Sequence, residues 1–244
     1  MKIVIHPDYQ RFSSFIHTLP ERFDREGVTI YKARNEIKVF EADGVKLNVK
    51  RFKVPHFINR IAYTFFRPSK VLRSYTYALE IKKRGGDTPP AVGYILFKKG
   101  GLIHTSYFIS LQYDYEPMYK PGQLPLAENA DLFEAVARYT ASLHAKGIYH
   151  ADYSPGNILY KRTAEGIKFC LVDINRMCFG PVSVRKGCAN FARLWGGEEA
   201  FRLMARAYAE ARGADPVCCT RWVLEARSRF WKRYARRHEV CFKY

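Results

Sequence analysis

The sequence predicts an α+β chain in two lobes, a small antiparallel strand-rich front and a helical back. Three observations carry this. The first half repeats its apolar residues every second position, the second half spaces them three and four apart, and 244 residues at 48% hydrophobic suffice to bury one large core or two small ones. The boundaries expected are a front lobe over 1–112, a hinge over 113–121 and a back lobe over 122–244.

The front elements follow in order. Val28-Thr29-Ile30-Tyr31 and Glu36 to Ala42 read as strands, and Asp43-Gly44 is a tight hairpin turn. Beyond it Val45, Leu47 and Val49 alternate with Lys46, Asn48 and Lys50, giving one core face and one polar face. A basic-aromatic stretch leads to a helix from about Ser69 to Lys83, closed by Gly85-Gly86. Ala91 to Lys98 and Leu102 to Leu111 form another strand pair around Gly100-Gly101. In the back half, Leu132, Val136, Tyr139 and Leu143 mark a helix that Gly147 ends. Ile158 to Lys161 and Ile167 to Asp173 are short strands joined at Ala164-Glu165-Gly166, and helices follow over about 198–212 and 217–237.

Lys plus Arg number 41 against 23 Asp plus Glu, a formal net charge of +18. Such a charge points to polyanionic partners, whether nucleic acid, an anionic membrane face or phosphorylated ligands. Composition excludes a disordered tail, a collagen-like repeat and a disulfide-stapled miniprotein. The apolar run after Met1 is too short for a signal peptide and no stretch has the ~18 apolar residues of a membrane span, so a cytoplasmic location is expected. Cys170, Cys178, Cys188, Cys218, Cys219 and Cys241 fit no zinc spacing and read as small buried residues.

The chemistry concentrates at His150-Ala151-Asp152-Tyr153-Ser154-Pro155-Gly156-Asn157, followed by Leu171-Val172-Asp173-Ile174-Asn175. The first piece matches the His-x-Asp-x4-Asn catalytic loop of the protein-kinase-like superfamily, and the second stands where that superfamily places Asp-Phe-Gly. Phosphoryl transfer needs a carboxylate at the attacking hydroxyl and oxygen ligands holding Mg²⁺ on the triphosphate. Asp152 suits the first role, Asn157 and Asp173 the second. The competing reading is an ordinary acidic loop between helix and strand. A Lys on a front strand should hold the nucleotide: Lys50 fits, with Lys46 on the same face as competitor. The Glu that usually pairs with such a Lys is expected near Thr76. Glu80, one turn later, is the sole carboxylate between Asp43 and Asp87 and is the candidate substitute. The turn Tyr31 to Glu36 has no Gly-x-Gly-x-x-Gly, so Lys32 or Arg34 is expected to help cover the phosphates. No Ala-Pro-Glu follows Asp173 and Ala151 stands where a loop Arg is common, which argues for a small-molecule or sugar substrate over a peptide.

At this level the chain resembles the lipopolysaccharide core kinases, the family of Kdo and heptose kinases (Kdo is 3-deoxy-manno-octulosonic acid). The residues that carry the resemblance are Arg34-Asn35-Glu36-Ile37-Lys38, Asn48-Val49-Lys50-Arg51-Phe52, Phe57 to Tyr63, His150 to Leu159, Val172 to Arg176 and Asn190 to Trp195. It spans about 27 to 235. The resemblance implies a bilobal kinase-like fold and ATP- and Mg²⁺-dependent phosphorylation of a Kdo hydroxyl on lipid A-linked sugar. It further implies work at the cytoplasmic face of the inner membrane, with Asp152 as base, Asn157 and Asp173 on the metal, and Lys50 on the phosphates. Arg176, Arg185, Lys186 and Arg193 follow Asp173 and are expected to bind the sugar carboxylate or lipid A phosphates.

Charge placement fits an anionic bilayer as partner. Gly44 to Leu79 holds eight Lys/Arg and no acid, interleaved with Phe52, Phe57, Tyr63, Phe65 and Phe66. The last helix carries Arg221, Arg227, Arg229, Lys232, Arg233, Arg236 and Arg237 against Glu225, with an apolar stripe at Val223, Ala226, Phe230 and Tyr234. The alternative readings are a heptose kinase, an inactive kinase-like scaffold at the membrane, and a nucleic-acid-binding protein. The last has no supporting motif, so no specific nucleic acid partner is expected.

Overall fold

A computed structural model describes residues 1–240, so Cys241 lies outside the described residues. The chain divides into two compact units, the first made of Met1–Glu80 with Thr88–Tyr113, the second of Ile81–Asp87 with the chain from Asp114 onward.

The first unit is built on a six-stranded antiparallel sheet of order β1-β5-β6-β4-β3-β2. Its strands are β1 (Lys2–Ile5), β2 (Val28–Lys32), β3 (Glu36–Ala42), β4 (Val45–Phe52), β5 (Ala91–Lys99) and β6 (Leu102–Leu111). The β3–β4 turn is the tight one expected, with positive φ at both Asp43 (49°) and Gly44 (71°). Gly100 and Gly101 repeat it between β5 and β6 (59° and 75°). The two-residue alternation of β4 also holds, since Leu47 and Val49 are fully buried.

Helix α1 (Ser13–Arg22) covers that buried face. Phe12, Phe15, Ile16, Leu19 and Phe23 pack on Phe40, Leu47, Val49, Val92, Ile95, Tyr107 and Ile109 as one core. The sequence reading contains neither α1 nor β1. Pro20 inside α1 masks the first, because proline ends most helical patterns. β1 is four residues long and stands only by pairing with β5. Lys38 is buried, and its ammonium donates to the carbonyls of Phe23 (2.7 Å) and Glu26 (3.1 Å), where a cation complements the carbonyls beyond the end of α1. Helix α3 (Lys70–Lys83) starts where the Ser69 hydroxyl accepts from the Leu72 amide at 3.2 Å. Tyr75 of α3 meets Tyr94 of β5 edge-on, so α3 lies on the other sheet face.

The stretch between β4 and α3, expected only to be basic and aromatic, is helical: α2 (Phe57–Ile61) and a π-helical turn at Ala62–Phe66. Phe52 is buried rather than part of a surface, because it falls on the sheet face opposite Leu47 and Val49.

The second unit centres on α4 (Ala130–Ala145), α6 (Glu198–Arg212) and α7 (Pro216–Ala235), with α5 (Val184–Asn190) between them. A three-stranded sheet orders β10-β9-β7, where β7 is Glu116–Pro117, β9 is Ile158–Thr163 and β10 is Gly166–Leu171. A two-stranded ribbon pairs β8 (Ile148–His150) with β11 (Met177–Phe179). Gly147 takes φ 67° after α4, and a Cβ there would press on the Gly180 carbonyl at 3.0 Å. The stripe expected on α7 is rotated. Cys219, Val223, Arg227 and Trp231 are buried, and Tyr234 is exposed. Arg227 is thus lost to any surface: it donates to the Gly196 carbonyl at 2.7 Å and its guanidinium lies 4.4 Å from the Phe201 ring centroid. Burial lowers its pKa, since the charge leaves water. Cys170, Cys178, Cys188, Cys218 and Cys219 are free thiols, and Cys178 is exposed and Cys218 half-buried, contrary to the buried reading.

Candidate active site

Pairing of β8 with β11 sets His150 opposite Met177 and brings the chain after His150 alongside the chain before Met177. The Ala151 amide donates to the Arg176 carbonyl at 3.1 Å. His150 is buried and holds the loop from inside. The Asp152 amide donates to its Nδ1 at 3.1 Å, so its Nε2 carries the proton and donates to the Val172 carbonyl at 3.0 Å. Burial pushes the imidazole pKa down, which keeps the ring in the neutral form this pattern requires.

The Asp152 carboxylate is 17% exposed and lies between two guanidiniums, Arg176 at 3.2 Å and Arg193 in closer contact. The Asn157 side-chain amide donates to the Asp152 carbonyl at 2.8 Å, and the Val172 amide donates to the Asn157 carbonyl at 3.0 Å. This ties Asn157 to Asp152 on one side and to the residue before Asp173 on the other. Asp173 sits in the left-handed region at φ 51°, ψ 43°, and the Asn175 amide donates to its Oδ1 at 2.6 Å. A non-glycine residue held there outside a hairpin turn is backbone strain of the kind found at functional sites.

A buried network supports the loop from behind. His144 of α4 shares hydrogen bonds with the Tyr208 hydroxyl of α6 (2.8 Å) and Asn190 Oδ1 of α5 (3.1 Å). The Asn190 amide then donates to the His150 carbonyl at 3.0 Å. Burial pushes the His144 pKa down to about 4 and the Tyr208 phenol up. A Cβ at Gly187 would collide with the Tyr208 hydroxyl and the His144 ring, so the network passes where only glycine fits. Asn190 and His144 are absent from the sequence-predicted set. Asn190 opens the quoted Asn-Phe-Ala-Arg piece, and that is the signal that could have found it.

The structure therefore joins Asp152, Asn157, Arg176 and Arg193 in one hydrogen-bonded system, with Asp173 beside it as the chain neighbour of Val172. Arg185 and Lys186 are exposed on α5, and the Lys186 ammonium lies 4.7 Å from the Tyr149 ring centroid. Lys50, Glu80, Lys32 and Arg34, with the alternative positions Lys46 and Thr76, belong to the first unit. Lys50 stands opposite Phe108, and Phe108 opposite Tyr94, so Lys50 is on the sheet face that α3 covers. Its ammonium lies 5.3 Å from the Phe52 ring centroid. Lys46 is exposed at the hairpin end. On α3 Glu80 is half-buried, whereas Thr76 is exposed with its hydroxyl on the Leu72 carbonyl at 2.9 Å. Lys32 and Arg34 are exposed, with Lys32 at 3.8 Å from Glu36.

Among the described residues no cluster of three or more His, Cys, Asp and Glu could hold a metal by itself. Mg²⁺ on a nucleotide asks less of the protein, namely one or two hard oxygen donors beside phosphate oxygens. The Asp173 carboxylate qualifies. So does the Asn157 amide oxygen, because its nitrogen is already directed at the Asp152 carbonyl.

Residues 109–196 match the family model described as Lipopolysaccharide kinase (Kdo/WaaP) family. That stretch is similar to the lipopolysaccharide kinases. It contains the His150 loop, Asp173 and Arg193, while the quoted pieces at 34–38, 48–52 and 57–63 lie outside it. The fold agrees along nearly the whole chain. A solved structure described as WaaP in complex with acyl carrier protein superposes at TM-score 0.63 with 16% identity, covering 95% of this chain and 100% of that one. A thermostable mutant of aminoglycoside phosphotransferase APH(4)-Ia, in its apo form, aligns at TM-score 0.48 with 14% identity, over 86% of this chain and 88% of that one. No curated protein sequence matches. The chain thus has an α+β, kinase-like fold, and its residues 109–196 are similar to the lipopolysaccharide kinases.

Proposed function

We propose that the protein transfers the γ-phosphoryl group of ATP to a hydroxyl of Kdo on lipid A-linked inner-core sugar. The observation that carries this reading is the Asp152 carboxylate, held at the head of the His150–Asn157 loop within the stretch similar to the lipopolysaccharide kinases. Asp152 takes the proton of the attacking hydroxyl as its oxygen bonds to the γ-phosphorus and the bond to the β-phosphate oxygen breaks, releasing ADP. His150 and Asn157 fix the backbone of that carboxylate. Asp173 and Asn157 would hold Mg²⁺, which when bound neutralises phosphate charge. Lys50, with Glu80 on the adjoining α3, is assigned to the phosphates, and Lys32 and Arg34 to their outer side. Arg176 and Arg193 keep Asp152 oriented while leaving exposed guanidinium edges for an anionic acceptor such as the Kdo carboxylate. Arg185 and Lys186 extend that positive field.

Among the described residues no helix is long and apolar enough to cross a membrane. The proposed lipid-linked acceptor assigns the reaction to the cytoplasmic surface of the inner membrane. The test is label transfer from γ-labelled ATP with Mg²⁺ to Kdo-lipid A, to lipid A lacking Kdo, and to a heptose-bearing core. Transfer only to the Kdo acceptor, abolished in Asp152→Asn, is the expected result. Transfer to the heptose acceptor alone moves the acceptor to heptose. Mg-ATP binding without transfer to any acceptor overturns the enzyme reading in favour of a scaffold.

A further inference from the structure

Between β4 and α3 the first unit carries a short helical projection. Phe57, Ile58, Phe65 and Phe66 are 64%, 80%, 68% and 80% exposed, four large apolar side chains within ten residues. The same segment is bolted to the sheet on its other side. Arg60 donates to the carbonyls of Ile103 (2.7 Å) and Lys99 (3.0 Å). The Thr64 hydroxyl donates to the Arg60 carbonyl at 2.6 Å and accepts from the Ile103 amide at 3.1 Å. The exposure of the apolar residues thus goes with a fixed backbone, since Arg60 and Thr64, which could have faced water, are used inward.

The surroundings carry one sign of charge. Lys53, His56 and Arg67 are exposed at the two ends of the projection. The Arg60 bond to the Lys99 carbonyl brings the β5–β6 hairpin alongside, where Lys98 and Lys99 are exposed. No Asp or Glu occurs between Asp43 and Glu80. Exposed apolar side chains at both ends of a short helical segment, flanked by exposed cations and without acids, match the two layers of an anionic bilayer surface: acyl boundary inside, negative headgroups outside. A single exposed apolar residue needs no explanation, but four within ten residues beside cations do.

We infer that the segment 57–66 is the element by which this protein docks on an anionic lipid bilayer, its four apolar side chains entering the interface and Lys53, Arg67, Lys98 and Lys99 meeting the headgroups. The inference rests on the proposed lipid-linked acceptor and names the surface that the enzyme would occupy while acting on it. Such wedges enter only ~5–10 Å, to the headgroup–acyl boundary, which suits a projection of two helical turns.

The experiment is sedimentation of the whole protein, without nucleotide, with vesicles of phosphatidylcholine alone or mixed with phosphatidylglycerol. The wild type is expected to sediment with the anionic vesicles, less with the neutral ones, and the double variant F65S/F66S to lose at least ~10-fold in partitioning. An unchanged thermal unfolding midpoint shows that the variant is folded. In a second measurement, Phe66→Trp gives an indole whose emission shifts blue and is quenched by brominated lipid when the wedge inserts. Equal partitioning of F65S/F66S and wild type, or an unquenched indole, overturns the inference. A wild type that ignores vesicles but forms a dimer broken by F65S/F66S overturns it in favour of self-association. Transfer to detergent-dispersed Kdo-lipid A is followed in parallel. If the variant transfers normally there while vesicle binding is equal in both proteins, only the docking inference fails. If vesicles bind as expected while neither protein transfers phosphate to any acceptor, only the kinase reading fails.

Discussion

The loop from His150 to Asn157 and the turn from Tyr31 to Glu36 are assigned to the same phosphate chemistry, yet they are built on opposite plans. Around the loop, His150 bridges the Asp152 amide to the Val172 carbonyl, and Asn157 ties down the Asp152 carbonyl. The turn is open to water over Tyr31 to Arg34, closed by the Ala33 amide on the Asn35 carbonyl (3.0 Å) and anchored where Asn35 accepts from the Lys53 amide (3.2 Å). The contrast teaches which atoms need fixing. A proton acceptor works only when held at the reacting oxygen, and small misplacements are costly. Charges that merely offset a triphosphate act at longer range and tolerate a mobile Lys or Arg.

The sharpest way to break this comparison is kinetic. Asp152→Asn should lower kcat by about 10²–10⁴-fold, the scale of a positioned acid or base, with little change in the KM for ATP. Replacing Lys32 and Arg34 together by Ala should raise that KM a few-fold, with kcat kept. Equal kcat losses in the two variants would remove the distinction between loop and turn.

A second, somewhat smaller effect is thermodynamic and belongs to the support behind the loop. The unfolded chain protonates His144 near pH 6.5, the folded chain only near 4. Its contribution is therefore present in full above pH 6.5 and is lost as pH falls toward 4, a loss of about 3 kcal/mol by linkage. His150, also pushed down by burial, adds in the same direction. Urea titrations at pH 7 and at pH 4 should show this loss, and His144→Gln should flatten it. An unaltered pH slope in that variant would assign acid sensitivity elsewhere.

Next comes the bridge between the two histidines. Asn190→Ala leaves the His150 carbonyl and the His144 ring short of a partner, at a cost of about 1–3 kcal/mol read from urea unfolding. It should also lower kcat without moving the KM for ATP, because Asn190 acts only by positioning the loop. A raised KM with normal kcat would contradict that role. The smallest effect is expected at the turn. Lys32→Ala should change stability by less than about 0.5 kcal/mol, since its ion pair with Glu36 at 3.8 Å is largely solvated on the Lys side.

Where local chemistry suffices, the sequence was a good guide. Asp43-Gly44 specified its hairpin because both positions need positive φ. The helix at 198–212 and the strands at 36–42 and 102–111 have the bounds read from pattern alone. Reading failed where a distant partner overrides the local signal. Pro20 is tolerated in α1 by burial of Phe15, Ile16 and Leu19 against the sheet. Arg227 reads as a surface cation until Gly196 and Phe201 supply its hydrogen bond and its ring. Phe52 reads as part of an exposed aromatic patch until α3 covers its sheet face. Arg51 likewise finds its ion-pair partner Glu36 across the β3–β4 register, at 2.5 Å, which no spacing rule reveals.

By itself the sequence determined the α+β division into a strand-rich front and a helical back, the loop His150-Ala151-Asp152 with Asn157, and the acid-free basic stretch from Gly44 to Leu79. These are properties of dihedral preference, spacing and composition, which neighbours along the chain set. Only the tertiary structure decided that Arg176 and Arg193, 24 and 41 residues downstream, close on the Asp152 carboxylate. It alone decided that Asn190 relays His144 to His150, and that Phe57, Ile58, Phe65 and Phe66 project while Phe52 does not. Hydrogen bonding and burial depend on which distant groups the packed chain brings within reach, and periodicity carries no record of those distances.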